Sequence, residues 1–205
     1  MPITCKPNGP YFVAGCALRG ADGQDHEVGP GVALCRCGGS ARKPFCDGTH
    51  RRNGFSDANL ADPAKNRRTS YAGKAITILD NRAICAHAGF CSDGLKEVFK
   101  EEGEPWIDPD GAAAARVIET IGKCPSGALS YAIDGREAHD PGGPPCVTAT
   151  KDGPYFVTGG VELVGVAFGD GASKEHFTLC RCGASKNKPF CDGSHWDAGF
   201  KDPAG

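Results

Sequence analysis

The chain has 205 residues and a formal net charge of -2, with 30 glycines, 15 prolines and 12 cysteines. That length allows one or two ordinary domains. The slightly acidic balance argues against a nucleic-acid partner, and no apolar run approaches the roughly 20 residues that span a bilayer, so no membrane role is expected.

Met1-Pro2-Ile3-Thr4 opens without the basic and apolar pattern of a secretion signal. Cysteine makes up about 6% of the chain, below the roughly 8–10% of short disulfide scaffolds. Cysteines set close to histidine, with no export signal, favour metal chemistry in a reducing compartment, and the cytoplasm is the expected location.

In chain order, residues 1–56 form a first unit. Tyr11-Phe12-Val13 and Val32-Ala33-Leu34 have strand composition. The second of these feeds Cys35-Arg36-Cys37, and Cys46 and His50 follow. Pro44 is expected to begin at most a short helix, whose N–H groups would face an anionic ligand. Residues 57–70 are polar, contain Pro63 and Arg67-Arg68, and read as a linker. The arginine pair is either a docking point or plain solvated surface.

Residues 71–135 form a different, α+β unit. Strands are expected over 75–79 and 129–133, and helices over 94–100 and 112–121. Asp108 or Asp110 is the expected N-cap of the second helix, whose Ala114, Val117, Ile118 and Ile121 share one face. Residues 136–145, rich in proline and glycine, read as a second linker.

Residues 146–205 repeat the first unit. Asp152-Gly153-Pro154-Tyr155-Phe156-Val157 matches Asn8-Gly9-Pro10-Tyr11-Phe12-Val13, Val161–Val164 and His176–Leu179 read as strands, and Cys180, Cys182, Cys191 and His195 recur at the first unit's ligand spacing. Two copies make a duplication, not a solenoid. One such unit is too small for a core of its own. The two are therefore expected to pack as a pseudo-twofold pair within a monomeric chain.

Three thiolates and an imidazole hold either zinc or an iron–sulfur cluster. Structural zinc sites usually pair cysteines with two or more residues between them. Here the first pair is C-x-C, and the second pair is a cysteine and a histidine with three residues between. That pattern suits two sulfurs on one iron and a Cys–His pair on a second. A closed zinc staple, which predicts a colourless protein, is the alternative.

The pattern C-x-C-x2-[ST]-x3-P-x-C-D-G-[ST]-H resembles the signature of the CDGSH iron–sulfur domain (mitoNEET-like) family. Cys35, Cys37, Ser40, Pro44, Cys46, Asp47, Gly48, Thr49 and His50 match it, as do Cys180, Cys182, Ser185, Pro189, Cys191, Asp192, Gly193, Ser194 and His195. The resemblance implies one [2Fe–2S] cluster per motif: on Cys35, Cys37, Cys46 and His50, and on Cys180, Cys182, Cys191 and His195. It also implies a β-rich intertwined dimer, which the tandem copies would form internally. The membrane anchor of some members is missing here, so their organelle-membrane role is not carried over.

A neutral imidazole in place of a thiolate makes the cluster less negative and raises its potential. Imidazole also takes up a proton near pH 6–7. His50 and His195 are thus the expected points of proton-coupled reduction and of acid-triggered cluster loss. Arg36, Lys43, Arg181, Lys186 and Lys188 lie inside the motifs and either offset cluster charge on a docking face or are ordinary solvated cations. Asp47 and Asp192 either bond backbone around the ligand cysteines or form turns.

In the middle unit, Cys85-Ala86-His87-Ala88-Gly89-Phe90-Cys91, Pro105-Trp106-Ile107 and Cys124-Pro125-Ser126-Gly127-Ala128-Leu129 resemble the divergent mono-cluster ferredoxin-like family. Bacterial ferredoxins carry C-x2-C-x2-C and a distant C-P. Ala88 stands where their middle cysteine belongs, leaving Cys85, Cys91 and Cys124. Three outcomes stay open: a [3Fe–4S] cluster, a [4Fe–4S] cluster completed by His87 or an outside ligand, and an empty fold. Cys5, Cys16 and Cys146 do not recur between copies and read as small buried or surface residues. His26, His139 and His176 read as surface or turn residues.

No nucleophile–base set, phosphate loop or dinucleotide fingerprint is present, so no enzymatic activity is expected. The expected fold class is α+β: two small β-rich cluster-binding units forming an internal pseudo-dimer, with a ferredoxin-like domain inserted between them. The expected function is electron transfer or cluster delivery through two [2Fe–2S] clusters, with a redox partner or an apo iron–sulfur acceptor. The alternative is a redox or pH sensor whose cluster state controls partner binding.

Overall fold

The structure is a computed structural model that describes residues 1–138 and 142–202. His139 and the centre of the expected second linker lie outside the described residues. The first unit contributes β1 (Pro2–Cys5), β2 (Tyr11–Val13), β3 (Ala17–Arg19), β4 (Asp25–His26) and β5 (Val32–Leu34). The middle unit contributes β6 (Thr69–Ala72), β7 (Thr77–Asp80), α1 (Phe90–Gly94), α2 (Ala114–Ile121), β8 (Leu129–Ile133) and β9 (Arg136–Ala138). The last unit contributes β10 (Cys146–Ala149), β11 (Tyr155–Thr158), β12 (Glu162–Val164) and β13 (Phe177–Leu179). No helix among the described residues is long and apolar enough to cross a membrane.

The repeat units do not form separate sheets. One sheet runs β12-β1-β2-β5 and another β13-β11-β10-β3-β4. Each unit thus gives its third strand to the other. β12 pairs parallel to β1, with Ile3 opposite Leu163, and β3 pairs parallel to β10, with Val147 opposite Leu18. These registers make Leu18 and Leu163 equivalent, so Cys16 corresponds to Val161; the repeat offset shifts by one residue in the turn before the exchanged strand.

Period-2 alternation sends Tyr11 and Val13, and Tyr155 and Val157, inward. Together with Ile3, Leu34, Val147, Phe177, Leu179 and Phe190 they build one core from both units. A short, four- or five-stranded unit buries too little apolar surface alone, and the exchange supplies the missing half.

The middle unit is an antiparallel sheet in the order β6-β7-β8-β9, with α2 packed on it. Ile76, Ile78, Phe99, Ile107, Val117 and Ile121 form its core. Two expected helices differ in detail. The first occupies Phe90–Gly94, not 94–100, because Leu95 leaves the helical region at φ -152° and the chain turns to bury Leu95, Val98 and Phe99 together. The second begins at Ala114 without a side-chain cap. Asp108 instead accepts from the Asp110 N–H, and Asp110 from the Lys74 N–H.

The linkers also carry structure. Residues 57–70 run along the second motif, where the Leu60 N–H donates to the Lys186 carbonyl at 2.7 Å. A 3-10 turn, Pro63–Lys65, follows, capped by Asp62. Arg67 is exposed, whereas Arg68 is half-buried and forms a two-pronged ion pair with Glu137 at 2.7 and 3.0 Å, joining the start of β6 to β9. The first three residues of the expected second linker are therefore a sheet strand.

Candidate metal centres

Each ligand loop continues a strand. The Cys35 N–H donates to the Pro44 carbonyl and the Cys46 N–H to the Ala33 carbonyl, both at 2.8 Å, so the loop folds back on β5. The last loop repeats this, with Cys180 N–H to Pro189 at 2.8 Å and Cys191 N–H to Thr178 at 3.1 Å.

No helix begins at Pro44 or Pro189. The Ser40 hydroxyl donates to the Phe45 carbonyl and accepts from the Arg42 N–H, closing a turn there, and Ser185 does the same with Phe190 and Asn187. A single 3-10 turn, Thr49–Arg51, comes later and presents His50. Asp47 accepts from the Ala41 and Thr49 N–H groups, and Asp192 from the Lys186 and Ser194 N–H groups. The two aspartates thus both form turns, through the N–H two residues on, and lock the loop by a second backbone bond. Hydrogen bonds from Thr49 and Ala41 hold the Asp47 carboxyl well below the usual range.

The donors converge two by two. Cys35 Sγ lies 3.8 Å from Cys37 Sγ, and Cys46 Sγ lies 3.4 Å from His50 Nδ1. Cys180 and Cys182 stand at 3.7 Å, and Cys191 and His195 at 3.4 Å. Two sulfurs held about 2.3 Å from one tetrahedral ion are about 3.75 Å apart, and a sulfur and an imidazole nitrogen about 3.5 Å. Each pair therefore fits two corners of one ion. All twelve cysteines are free. Among the described residues, no group of three or more His, Cys, Asp or Glu side chains is close enough to hold a single metal ion. Two irons per motif, one on each pair, fit this donor set.

Burial sets the thiols apart. It pushes Cys191 up to about 12, whereas the hydrogen bond from the Cys180 thiol draws Cys182 down to about 6 and leaves Cys180 well above its ordinary value. A metal must displace protons from the buried thiols as it binds. Arg36 and Arg181 are both buried and so are not ordinary solvated cations. Arg181 donates to the carbonyls of Gly153 (2.8 Å) and Thr150, pairs with Asp202, and stacks on Phe200 at 5.1 Å. Arg36 pairs with Asp57 at 3.0 Å, but its Nε and one terminal nitrogen have no partner. Lys43 and Lys188 donate to the Ser40 and Ser185 carbonyls.

The motifs are tied across the repeat. Tyr11 Oη lies 3.0 Å from the Cys180 carbonyl oxygen and 2.9 Å from that of Pro189. Tyr155 Oη lies 2.9 Å from the carbonyls of both Cys35 and Pro44. Each tyrosine thus holds the other unit's ligand loop. The loops themselves meet: a Cβ on Gly38 would stand 2.3 Å from the Cys182 carbonyl oxygen, and one on Gly183 2.8 Å from that of Cys37.

The two sites differ in cover. His50 is half-buried and borders an open groove with Cys46 and Phe55. His195 is buried, and burial lowers its pKa. The middle unit packs beside it, against Gly193 and Trp196. A Cβ on Gly193 would meet the His87 ring at 2.8 Å, and Trp196, stacked 4.9 Å from His195, donates its indole N–H to the His87 carbonyl at 3.3 Å.

In the middle unit Cys85, Cys91 and Cys124 line one cavity of about 550 Å³. The His87 N–H points to Cys85 Sγ at 3.4 Å, the kind of backbone bond that stabilises a metal-bound thiolate. Room for far more than one ion, lined by three separate sulfurs, fits a multinuclear cluster. Burial raises Cys85 to about 11, so the thiol too must lose its proton on loading.

Comparison with known proteins agrees with this geometry. The family described as "Iron-binding zinc finger CDGSH type" matches residues 8–51 and again 152–196. The chain belongs to the CDGSH iron-binding family. Between its CDGSH units, residues 71–134 match the family described as "Divergent 4Fe-4S mono-cluster". The chain is 44% identical over 61 residues to the uncharacterized protein YjdI of Escherichia coli K12, and equally to that of strain O157:H7; the match covers 30% of this chain and 80% of the relative. No solved structure matches. This is an iron–sulfur protein in which two CDGSH units flank a mono-cluster domain.

The remaining sequence expectations divide. Cys16 is buried in the shared CDGSH core with Cys5 half-buried against it, and Cys146 is buried on β10. His26 is half-buried against Phe45 at 5.4 Å. His176 is no surface residue: it is buried, with Nδ1 3.1 Å from a Glu175 oxygen and 3.2 Å from the Ser173 hydroxyl. Tyr11, Tyr155, Asp80 and Trp196 were not singled out as functional. The recurrence of Gly-Pro-Tyr-Phe-Val was the visible signal for the two tyrosines.

Proposed function

We propose that each CDGSH unit holds a [2Fe–2S] cluster on its three cysteines and histidine, that the middle domain holds a third, cubane cluster, and that the chain relays electrons among them. The CDGSH units act as an internal pseudo-dimer, a reading supported by the exchanged strands and the crossed tyrosine bonds. When bound, the clusters supply one-electron redox chemistry. The residues bind them, exclude water from the second site and, at His50 Nδ1 and His195 Nδ1, offer nitrogen in place of sulfur.

The observation that carries the relay is contiguity. The Cys85–Cys91 loop lies on the second CDGSH loop through His87, Gly193 and Trp196, and that loop meets the first through Gly38 and Gly183. The order is middle site, second site, first site, with His50 at the open end.

The test is anaerobic purification with iron and sulfide counts, then stepwise reduction followed by EPR. About eight irons per chain, with spin–spin broadening once neighbouring clusters are reduced, supports the relay. Three magnetically isolated centres contradict it. A second reading, cluster delivery from the first site, is favoured by the open groove beside Cys46 and His50. Incubation with an apo-ferredoxin separates the two: delivery moves the colour to the acceptor, and relay leaves it in place.

A further inference from the structure

Asp80 is a buried acid that none of the preceding chemistry uses. It is 1% exposed, and neither carboxylate oxygen has a hydrogen-bond partner. Burying a carboxylate without a partner is costly, so such groups are normally paired or bound to a metal. Strand alternation puts Asp80 on the same face of β7 as Ile78, toward the core against which Cys91 and Cys124 pack. Asp80 lines the same cavity as Cys85, Cys91 and Cys124.

Its neighbours do not satisfy it. The Arg82 guanidinium is stacked 4.2 Å over Trp106, and no ion pair joins it to Asp80 among the described residues. The indole N–H of Trp106 lies near enough to Asp80 to oppose its pKa rise, but makes no hydrogen bond of normal geometry to it. His87, the sequence candidate for a fourth ligand, has its ring against Gly193 of the second CDGSH loop.

We propose that Asp80 is the fourth ligand of the middle cluster, completing the set of Cys85, Cys91 and Cys124 with a carboxylate oxygen. The inference rests on the reading that this domain holds a cubane cluster. Three thiolates then hold three irons, and Asp80 holds the fourth. Oxygen is a harder donor than sulfur and binds cluster iron less tightly. The Asp80 corner is therefore the one that opens on oxidation: [4Fe–4S]2+ yields [3Fe–4S]+, Fe2+ and one electron, which passes to an added acceptor such as ferricyanide.

The experiment uses the full chain, purified anaerobically, and reads iron content and EPR before and after limited ferricyanide. Wild type is expected to hold about eight irons per chain, to be EPR-silent as isolated, and to release about one iron with a three-iron signal on oxidation. Asp80→Ala is expected to hold about seven irons and to show the three-iron signal before any oxidant. Asp80→Cys restores the fourth iron and slows its release at least about tenfold. His87→Ala behaves as wild type.

An Asp80→Ala protein with wild-type iron content and oxidation response overturns the ligand assignment alone. So does transfer of its expected phenotype to His87→Ala. Wild type with only about four irons overturns the cubane reading and the assignment with it. The absorption of the two CDGSH clusters reports folding of each variant; should Asp80→Ala not fold, the oxidation resistance of Asp80→Cys decides, and wild-type lability there rejects the assignment.

Discussion

Tyr11→Phe is expected to loosen the cluster of the other unit, not its own. The Tyr11 hydroxyl lies on the carbonyls of Cys180 and Pro189, and Tyr155 does the reciprocal for Cys35 and Pro44. Both tyrosines are fully buried, so no water replaces the lost hydroxyl. The Pro189 carbonyl keeps the Cys180 N–H, but the Cys180 carbonyl loses its hydrogen bond. A buried acceptor left unsatisfied costs about 1–3 kcal/mol. That is about a five- to 150-fold shift toward an open loop, and bleaching that passes through the open loop accelerates by the same factor.

The two clusters are separated by removing one. In a Cys46→Ala background only the second CDGSH unit holds a complete donor set, and its visible absorption is followed after a drop in pH or addition of a chelator. Tyr11→Phe should speed this decay several-fold or more, and Tyr155→Phe should leave it nearly unchanged. In a Cys191→Ala background the roles reverse. If each tyrosine instead governs the cluster of its own unit, the crossed architecture is wrong.

Three further outcomes follow from particular contacts. Gly38→Ala, at φ +74° with its Cβ 2.3 Å from a backbone oxygen, should cost at least about 2 kcal/mol in chemical denaturation, whereas Gly48→Ala, at φ +86° in open space, should cost only about 1–2 kcal/mol; equal costs contradict the close approach of the loops. His50→Cys and His195→Cys should each lower a midpoint potential, by on the order of 100 mV, and remove its pH dependence, and unchanged redox titrations count against imidazole ligation. In the cluster-free protein, burial holds the Asp80 carboxyl up to about 7 despite the opposing Arg82 charge and Trp106 N–H. The folded state then binds more protons than the unfolded chain between about pH 4 and 7, so stability falls as pH rises through that window, by at most about 4 kcal/mol. Asp80→Asn should flatten this part of the profile, and identical wild-type and variant profiles would show that Asp80 is not so buried.

Much of the site was legible because its chemistry is local. A ligand pair two or four residues apart is brought together by a turn alone, so Cys35 with Cys37, and Cys46 with His50, announce themselves by spacing. The repeat and the family resemblance were readable for the same reason, as were the strands at Tyr11–Val13, Val32–Leu34 and Leu129–Ile133. Errors came where local rules had rivals. Pro44 did not start a helix because Ser40 closed a turn first, and Asp108 and Asp110 did not cap α2 because nearby N–H groups claimed them.

Sequence alone picked out the paired cysteines and histidines of the CDGSH loops and showed that the units come in two copies. Tertiary structure decided what those copies do to one another: the traded third strands, the crossed tyrosines, and a middle domain seated beside His195 and away from His50. The physical reason is range. Coordination pairs close within a few residues, but strand partners and buried acids such as Asp80 are set by contacts between segments far apart in the chain, which no short motif records.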